Sequence, residues 1–195
     1  MMYFKKIVSV ILSVALCIGL FTSIVFAGQD TDDVYQMADA LNNLNILQGD
    51  SNGDYMLDSF LNRAQSITLI IRMLGKDKAV QQNADELKYT KYVDVPSDAW
   101  YAPYVGYGTM YGIVAGDPEG NFTPTKNITE KAFLKMALCA LDYEYGVDFD
   151  WAGVFQKAYE VGIVTDKSYT TKVQDENNYT RAKAVEVIYR ALNSY

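Results

Sequence analysis

The sequence predicts an all-α protein in which a helix-loop-helix unit occurs three times. Apolar residues recur at helical spacing in several segments, and short loops rich in glycine, aspartate and asparagine separate them. Two loop glycines lie fourteen positions ahead of a helix start, from Gly49 to Arg63 and from Gly116 to Glu130. A third helix start, at Arg181, follows a similar segment. Internal repetition of this kind indicates a repeat architecture.

The first 27 residues have the features of a secretory signal peptide. Lys5 and Lys6 give a positive start, the segment 7–26 is mostly apolar, and the small residues Val25 and Ala27 fit cleavage after Ala27. The alternative is an uncleaved membrane anchor, because about twenty apolar residues can span a bilayer. For the cleaved chain we predict no contact with a membrane.

Composition argues against several classes of function. Histidine is absent from the chain, which removes a Ser-His-Asp triad and any histidine-ligated metal. Loss of the two leader lysines changes the formal charge from −7 to −9, and an acidic chain without a basic stripe is a poor partner for nucleic acid. Cys139 is the only cysteine after the leader, so an internal disulfide is excluded. We predict no catalytic residue, no cofactor and no metal.

The segment 50–61 resembles a calcium loop in composition. An EF-hand loop needs glycine at its sixth position and glutamate at its twelfth, where this chain has Tyr55 and Leu61. A turn is therefore the better interpretation, with weak calcium binding as the alternative. Carboxylates are numerous, but nothing in the sequence places two of them as an acid-base pair.

The first predicted unit covers 28–88 and includes a polar linker. Its first helix is predicted over 34–47 by apolar residues on one side. Its second helix follows Asn62, an N-cap residue that forms a capping box with Gln65 three positions later. Arg63 then occupies the first turn, where free backbone N–H groups and the helix dipole favour an anion. The alternative is that Arg63 is a solvated surface charge.

The second and third units are predicted over 89–143 and 144–195. The second contains a helix over 100–112 with three glycines, which we explain by close contacts with neighbouring backbone. The third begins its first helix at Trp151, and the loop that follows contains no glycine, so this unit departs from the pattern. Short extended pieces are predicted at two places, 55–57 and 121–123.

The second unit carries the motifs through which this chain resembles the S-layer homology family. That family combines a helix, a glycine-aspartate loop and a second helix that begins with Thr-Arg-Ala-Glu. The matching residues of the second unit are Tyr92-Val93-Asp94-Val95-Pro96, Trp100, Gly112-Ile113-Val114 and Gly120-Asn121-Phe122-Thr123-Pro124. The resemblance covers nearly all of the chain after the leader, and it implies three repeats in a pseudo-threefold bundle.

The resemblance also implies a function. Modules of this family are non-catalytic and hold proteins on cell walls, so the implied location is secreted, at the cell wall or cell surface. The implied partner is a secondary cell-wall polymer or another peptidoglycan-linked glycan, often with pyruvate ketals whose carboxylates are exposed. The sixteen tyrosines suit a sugar-binding surface, because their rings have an apolar face and a polar tip, but they equally suit a protein interface.

The family's binding residues are unevenly matched in this sequence. Arg63 and Arg181 occupy the position of the motif arginine in the first and third repeats, whereas the second repeat has Glu130. A carboxylate repels an anionic polymer, so we predict that this groove is degenerate, with Lys131 next to it in a different geometry. Trp100 and Trp151 match the family tryptophan and are expected to be partly buried. The predicted ligand-binding residues are Arg63, Arg181, Trp100, Trp151, Gly49, Asp50, Gly116 and Asp117.

Two functions of other classes compete with this interpretation. A helical-repeat scaffold for a protein partner at the cell surface would use exposed tyrosines, and its arginines would be incidental. A wall-modifying enzyme would use a pair of carboxylates and would release soluble sugar or peptide from purified wall.

Overall fold

The structure is a computed structural model that describes residues 31–175 and 178–194. The predicted signal peptide lies outside the described residues. Those residues form eight α-helices and no β-strand. The helices are α1 (Thr31–Asn43), α2 (Arg63–Met73), α3 (Asp77–Gln82), α4 (Ala84–Leu87), α5 (Ala102–Met110), α6 (Glu130–Ala140), α7 (Val154–Glu160) and α8 (Arg181–Asn193). A 3₁₀ helix covers Lys167–Thr170 between α7 and α8.

These helices confirm the predicted all-α fold, although several of their limits differ from the prediction. Helix α1 ends at Asn43, four residues before the predicted end, and Asn45 has a left-handed φ of 58°. Helix α7 begins at Val154, because the residues from Trp151 onward first form a turn. The polar linker of the first unit forms the two short helices α3 and α4.

The two predicted extended pieces are not found where the sequence suggested. Met56 has a φ of 51° and Thr123 a φ of 56°, and this left-handed conformation interrupts an extended chain at both places. Backbone pairing occurs a few residues later instead, where an isolated antiparallel bridge joins Phe60 to Thr180. A prediction based on side-chain pattern could not detect these two left-handed residues, since neither is glycine.

The start of α2 has the predicted capping box. The side-chain oxygen Oδ1 of Asn62 accepts the backbone N–H of Gln65 at 2.8 Å, and Oε1 of Gln65 accepts the backbone N–H of Asn62 at 3.0 Å. Thr129 and Thr180 cap α6 and α8 in a similar way, each through its hydroxyl oxygen. The three second helices of the predicted repeats thus begin with the same local chemistry.

A closed ring of three backbone hydrogen bonds connects the residues just ahead of α2, α6 and α8. The N–H of Ile128 donates to the carbonyl oxygen of Leu61 at 2.8 Å, and the N–H of Leu61 donates to that of Tyr179 at 2.9 Å. The N–H of Tyr179 completes the ring by donating to the carbonyl oxygen of Ile128 at 3.0 Å. All three side chains are buried. The ring gives the three helix starts similar surroundings.

The helices pack in three pairs, and these pairs connect the same predicted repeats as the ring of hydrogen bonds. Helix α2 packs against α5, α6 packs against α7, and α8 packs against α1. Each pair joins the second helix of one predicted repeat with the first helix of the next, and the pair of α8 and α1 joins the last repeat to the first. Three buried phenylalanines belong to the continuous core beneath these helices, namely Phe122, Phe133 and Phe155.

One glycine of α5 is explained by a close backbone approach. A Cβ atom added to Gly106 would lie 1.9 Å from the carbonyl oxygen of Leu87 at the end of α4, which is far inside any van der Waals contact. A Cβ atom added to Gly108, two residues further along α5, would lie 2.8 Å from the side chain of Ile67 on α2. The predicted close contact with backbone is therefore found at Gly106, whereas Gly108 meets a side chain and Gly112, with a φ of 68°, has no neighbour within 4 Å of an added Cβ atom.

Among residues 31–175 and 178–194, every helix is too short or too polar to cross a lipid bilayer.

Candidate ligand-binding grooves

The guanidinium of Arg63 reaches from α2 into the loop of the second predicted repeat. Its Nε donates to the carbonyl oxygen of Phe122 at 2.8 Å, and its Nη2 donates to that of Ala115 at 3.1 Å. The guanidinium carbon lies 4.7 Å from the centre of the Phe122 ring. Burial lowers the pKa of Arg63, and nearby acidic groups, Asp117 and Asp94 among them, oppose this effect.

Arg181 makes the corresponding contacts with the loop of the first predicted repeat. Its Nε donates to the carbonyl oxygen of Tyr55 at 2.7 Å, and its Nη2 donates to that of Gln48 at 2.9 Å. The residue is buried, and this burial lowers the pKa of its guanidinium. The two motif arginines therefore hold the loops of neighbouring repeats in shape.

The helix starts are not open to an anion in the way that the sequence suggested. At α2, the backbone N–H of Arg63 donates to the carbonyl oxygen of Lys126, and that of Ala64 donates to the carbonyl oxygen of Pro124, both at 3.0 Å. At α8, the first two N–H groups donate to carbonyl oxygens of the first repeat's loop at 2.9 Å. The sequence argument was wrong on this point, because the next repeat supplies the acceptors that an anion would have supplied.

The side chains of both arginines nevertheless keep some hydrogen-bonding capacity. A guanidinium has five N–H donors, and each of these two arginines uses two of them on loop carbonyl groups. Within the described residues the other three donors of Arg63 and Arg181 have no acceptor. These donors could bind a carboxylate while the loop contacts stay in place.

Gly49 and Asp50 lie in the first loop, where they shape a tight turn. The Asp50 carboxylate accepts the backbone N–H groups of Asn52 at 2.8 Å and of Asp54 at 3.0 Å, and these bonds lower its pKa. A Cβ atom on Gly49 would lie 3.0 Å from the carbonyl oxygen of Asp54. This carboxylate is committed to the turn, which favours the turn over a calcium loop.

Gly116 and Asp117 have the same arrangement in the second loop. The Asp117 carboxylate accepts the backbone N–H of Asn121 at 2.7 Å, which lowers the pKa of the aspartate. A Cβ atom on Gly116 would lie 2.5 Å from the ring of Tyr92 and 2.7 Å from the carbonyl oxygen of Asn121. In both loops the glycine and the aspartate thus fix the backbone whose carbonyl groups the arginines bind.

Asp94 is a residue of this site that the sequence interpretation did not single out. Its two carboxylate oxygens accept the backbone N–H groups of Phe122 and Thr123, each at 2.7 Å. Asp94 therefore binds two N–H groups of a short backbone segment, and Arg63 binds a carbonyl oxygen of the same segment. The available signal was the motif Tyr92-Val93-Asp94-Val95-Pro96, which the sequence interpretation used for the family resemblance and not for the site.

Glu130 occupies the position of the motif arginine in the second repeat, and it also reaches the next repeat. Its fully buried carboxylate accepts hydrogen bonds from the hydroxyl of Tyr169 and the ammonium of Lys172. These partners lie in and just after the 3₁₀ helix of the third predicted repeat. The negative charge of Glu130 is thereby paired inside the protein and does not face solvent.

Trp100 precedes α5, and 59% of its surface is accessible to solvent. Its indole makes edge contacts with the rings of Tyr101 and Tyr104 at centroid distances of 5.5 and 6.5 Å. The hydroxyl of Tyr104 donates to Asp77 at 2.6 Å, and Asp77 also accepts from Nε of Arg72 at 3.1 Å. Trp100 therefore stands next to a polar cluster between α2, α3 and α5.

Trp151 precedes α7 and is 46% exposed. The ammonium nitrogen of Lys131 on α6 lies 5.6 Å from the Trp151 ring and 4.8 Å from the Phe155 ring. Lys131 itself is 6% exposed. The structure thus brings an indole and a lysine together between α6 and α7.

Metal binding finds no support in this part of the chain. Across the two described ranges, no group of three or more histidine, cysteine, aspartate or glutamate side chains is arranged to hold a metal ion.

The protein belongs to the general class of helical-repeat modules, because residues at the helix starts reach into the loops of neighbouring units. Residues 91–133 match the S-layer homology domain family. The chain is therefore an S-layer homology domain protein, as its motifs predicted.

Several bacterial proteins share sequence with this chain. A surface layer protein of Brevibacillus choshinensis is 32% identical over 168 residues, which are 82% of this chain and 15% of that protein. The middle cell wall protein of Brevibacillus brevis is 29% identical over 199 aligned residues, covering 96% of this chain and 18% of that protein. A cellulosome-anchoring protein of Acetivibrio thermocellus is 25% identical over 178 residues, 84% of this chain and 39% of that protein.

The names of these relatives confirm the predicted location at the cell wall or cell surface. The chain spans less than a fifth of the length of the two Brevibacillus proteins. A similar stretch also occurs in an endoglucanase of a Bacillus species, of which the chain covers 14%. The matched region is thus a small part of each of these three proteins.

Proposed function

We propose that this chain is a non-catalytic module that docks on the cell wall by binding a secondary cell-wall polysaccharide. The proposed ligand carries carboxylates, such as those of pyruvate ketals. The proposed module consists of three S-layer homology repeats, at 28–88, 89–143 and 144–195, with a pseudo-threefold arrangement. The ring through Leu61 and Ile128 and the cyclic order of helix packing support that arrangement.

The observation that carries this proposal is the exposure of two tryptophans at the junctions between helices. Trp100 precedes α5, which packs on α2, and Trp151 precedes α7, which packs on α6. An indole presents a large apolar face on which the C–H face of a sugar ring can stack, and its N–H can hydrogen-bond a hydroxyl. Exposed indoles at two successive junctions favour a ligand that is long and repetitive.

Charge recognition is assigned to the motif arginines. Arg63 and Arg181 hold their loops with two N–H donors each and retain three others for a carboxylate. A charge-assisted hydrogen bond contributes about 1.5–3 kcal/mol, so one groove alone binds weakly. Retention on the wall then depends on several grooves of one molecule engaging one polymer.

The anchoring role is supported by the relatives rather than by the geometry alone. One relative is named as a cellulosome-anchoring protein, and others are named as surface layer and cell wall proteins. The matching stretch of the endoglucanase covers a small part of that enzyme, which fits a module that accompanies an enzyme. The absence of histidine from this sequence also supports a non-catalytic role.

The test is co-sedimentation of residues 28–195 with two cell-wall preparations from the source organism. One preparation retains its secondary polymer, and the other is stripped to peptidoglycan. We expect the protein to pellet with the intact wall only. Pelleting with neither preparation would contradict wall docking and favour the scaffold for a protein partner, and release of soluble sugar or peptide would favour an enzyme.

A matched pair of double variants tests the motif arginines. Arg63→Lys with Arg181→Lys keeps both charges but loses the planar fork that binds a carboxylate with two bonds. The control is Arg72→Lys with Arg190→Lys, since these arginines form ion pairs on the same helices. We expect wall affinity to fall at least tenfold for the motif pair and less than twofold for the control. Equal affinities would remove the arginines from the binding site.

A further inference from the structure

The first loop contains the pair Asn52-Gly53, and Asn52 is the only asparagine of this chain that is followed by glycine. In such a pair the backbone nitrogen of the glycine can attack the side-chain carbonyl carbon Cγ of the asparagine. The product is a five-membered succinimide ring, and glycine has no Cβ atom that hinders the approach. The pair is therefore a chemically reactive sequence, and its surroundings in the fold decide whether it reacts.

Asn52 and Gly53 lie in the open, at the tip of the loop. Both residues are exposed, and Gly53 has a left-handed φ of 83°. A Cβ atom added to Gly53 would find no atom within 4 Å beyond its own neighbours in the chain. Water therefore has access to this turn, as the hydrolysis of a succinimide requires.

The reacting groups of the pair are held only by bonds within the turn. Nδ2 of Asn52 donates to the Asp50 carboxylate at 3.4 Å, which is long for a hydrogen bond. The backbone N–H of Gly53 donates to the carbonyl oxygen of Asp50 at 3.0 Å. An exposed turn of this kind opens locally without unfolding of the core, and opening frees the glycine nitrogen for attack.

The other asparagines are less favourably placed. Each of them is followed by a residue with a Cβ atom, which hinders ring closure. Asn83 and Asn193 precede small residues, but their side-chain amides donate to carbonyl oxygens one helical turn earlier, at 2.8 and 2.7 Å. Asn62 is committed to the capping box of α2. Asn52 therefore combines the reactive sequence with an exposed and weakly held amide.

We propose that Asn52 is a site of non-enzymatic deamidation. A bond forms between the Gly53 nitrogen and Cγ of Asn52, the bond between Cγ and Nδ2 breaks, and the proton of the glycine nitrogen leaves with the ammonia. Water then opens the succinimide at one of its two carbonyl groups, which gives aspartate or isoaspartate. One water molecule is consumed and one ammonia is released, without oxidation or reduction. This inference is independent of the proposed wall docking.

The modification alters the loop that Arg181 binds. The Asp50 carboxylate accepts the backbone N–H groups of Asn52 and Asp54, and a new carboxylate at position 52 repels it. Isoaspartate also inserts one carbon atom into the backbone between these two N–H groups. The ends of the loop, Gln48 and Tyr55, accept the hydrogen bonds of the Arg181 guanidinium. We therefore expect deamidation to loosen the contact between the first loop and α8.

The second loop offers a natural comparison. Gly120 has a φ of 86°, and its N–H donates to the carbonyl oxygen of Asp117 at 3.1 Å, as Gly53 does to Asp50. The residue before it is Glu119, which has no amide nitrogen to release and could close only a larger ring. Glu119→Asn is expected to create a second reactive site, within threefold of the rate at Asn52. Absence of reaction at position 119 would contradict the assignment of reactivity to this turn.

The test is peptide mass spectrometry of residues 28–195 after incubation of the folded protein at mildly alkaline pH. Trypsin releases 28–63 as one peptide, because Arg63 is its only basic residue. Deamidation adds about one mass unit, fragment ions identify the asparagine, and electron-transfer dissociation separates aspartate from isoaspartate. We expect Asn52 to react at least tenfold faster than any other asparagine. Asn52→Gln should abolish this modification, since glutamine would have to form a six-membered ring.

Incubation of the same protein in urea is the reference, because the unfolded chain has no turn to protect Asn52. If Asn52 reacts in urea but is no faster than the other asparagines in the folded protein, the fold shields it and the proposal is wrong.

The structural consequence has its own measurement. Ion exchange separates the modified protein through its additional negative charge, and we expect it to unfold at a lower urea concentration than the unmodified protein. The difference should be smaller in Arg181→Lys, where the contact with the loop is already weakened. Equal midpoints for the modified and unmodified proteins would overturn the proposed loosening.

Discussion

Arg181 donates a hydrogen bond of 2.7 Å to the carbonyl oxygen of Tyr55, a residue 126 positions earlier in the chain. This contact joins the last predicted repeat to the first. A second bond from the same guanidinium, to the carbonyl oxygen of Gln48 at 2.9 Å, fixes both ends of the intervening loop. The planar fork of arginine suits this task, because it aims two donors at once.

Arg181→Lys is therefore expected to destabilise the fold although it preserves the charge. A lysine ammonium at this position can reach one of the two carbonyl groups, and the loss of a hydrogen bond in a buried setting costs about 1–2 kcal/mol. Arg190→Lys is the control, since Arg190 forms a partly exposed helical ion pair with Glu186 whose loss costs about 0.5 kcal/mol. Urea unfolding of both variants measures the difference, and equal midpoints would contradict a structural role for Arg181.

The pairing of Glu130 with Lys172 leads to a second prediction. Glu130→Gln removes the fully buried carboxylate that the Lys172 ammonium binds, and the loss of one member of a buried ion pair costs about 3 kcal/mol. Glu130→Gln combined with Lys172→Met removes both charges and is expected to recover part of that loss. Chemical denaturation of the two single variants and the double variant gives their coupling free energy. Strict additivity of the two single effects would show that the pair does not act as a unit.

The two glycines of α5 offer a matched comparison. Alanine favours a helix over glycine by up to about 1 kcal/mol, so a gain in stability would be expected from propensity alone. Gly106→Ala should instead destabilise by about 2 kcal/mol, because its Cβ atom would meet the backbone oxygen of Leu87 at 1.9 Å. Gly108→Ala meets the flexible end of Ile67 at 2.8 Å and should cost less. Thermal unfolding ranks the two variants, and the reverse order would contradict the packing of α4 on α5.

Acid sensitivity is expected from the two loop aspartates. The pKa values of Asp50 and Asp117 are lower in the folded chain than their ordinary value of 3.8, because backbone N–H groups donate to the carboxylates. The stability that they contribute is therefore present above about pH 4 and is lost as the pH falls through the lower folded-state pKa values.

The double variant Asp50→Asn with Asp117→Asn should show a flatter dependence of unfolding free energy on pH below about 4, since an amide keeps an acceptor oxygen but does not titrate. Asp98→Asn is the control, because Asp98 is exposed and accepts no hydrogen bond within the described residues. Urea unfolding at a series of pH values makes the measurement. Parallel profiles for the parent and the double variant would exclude the loop carboxylates as a source of acid sensitivity.

Local features of this fold were predictable from the sequence, and distant partners were not. The capping box of Asn62 and Gln65 involves residues three positions apart, so its chemistry can be recognised in the sequence. The Arg63 side chain donates to the carbonyl oxygen of Phe122, 59 positions away. Every residue has a backbone carbonyl group, so the sequence does not show which one will be the acceptor. For this reason the sequence suggested that the N–H groups at the start of α2 are free to bind an anion. In the structure they donate to carbonyl oxygens of Lys126 and Pro124.

Glu130 shows the same limit for the candidate site. Its identity alone predicted repulsion of an anionic ligand, because its charge was considered without a partner. The structure places Lys172 and Tyr169, 42 and 39 positions away, against this carboxylate.

The ring of backbone hydrogen bonds through Leu61, Ile128 and Tyr179 also has a consequence for the kinetics of folding. Each of its members needs a partner from another repeat, and the final bond requires Tyr179, close to the end of the chain. Contacts between such distant positions form slowly, because a long loop must close before they contribute any stability. The first two predicted repeats can therefore complete this ring only after the third has been synthesised as far as Tyr179.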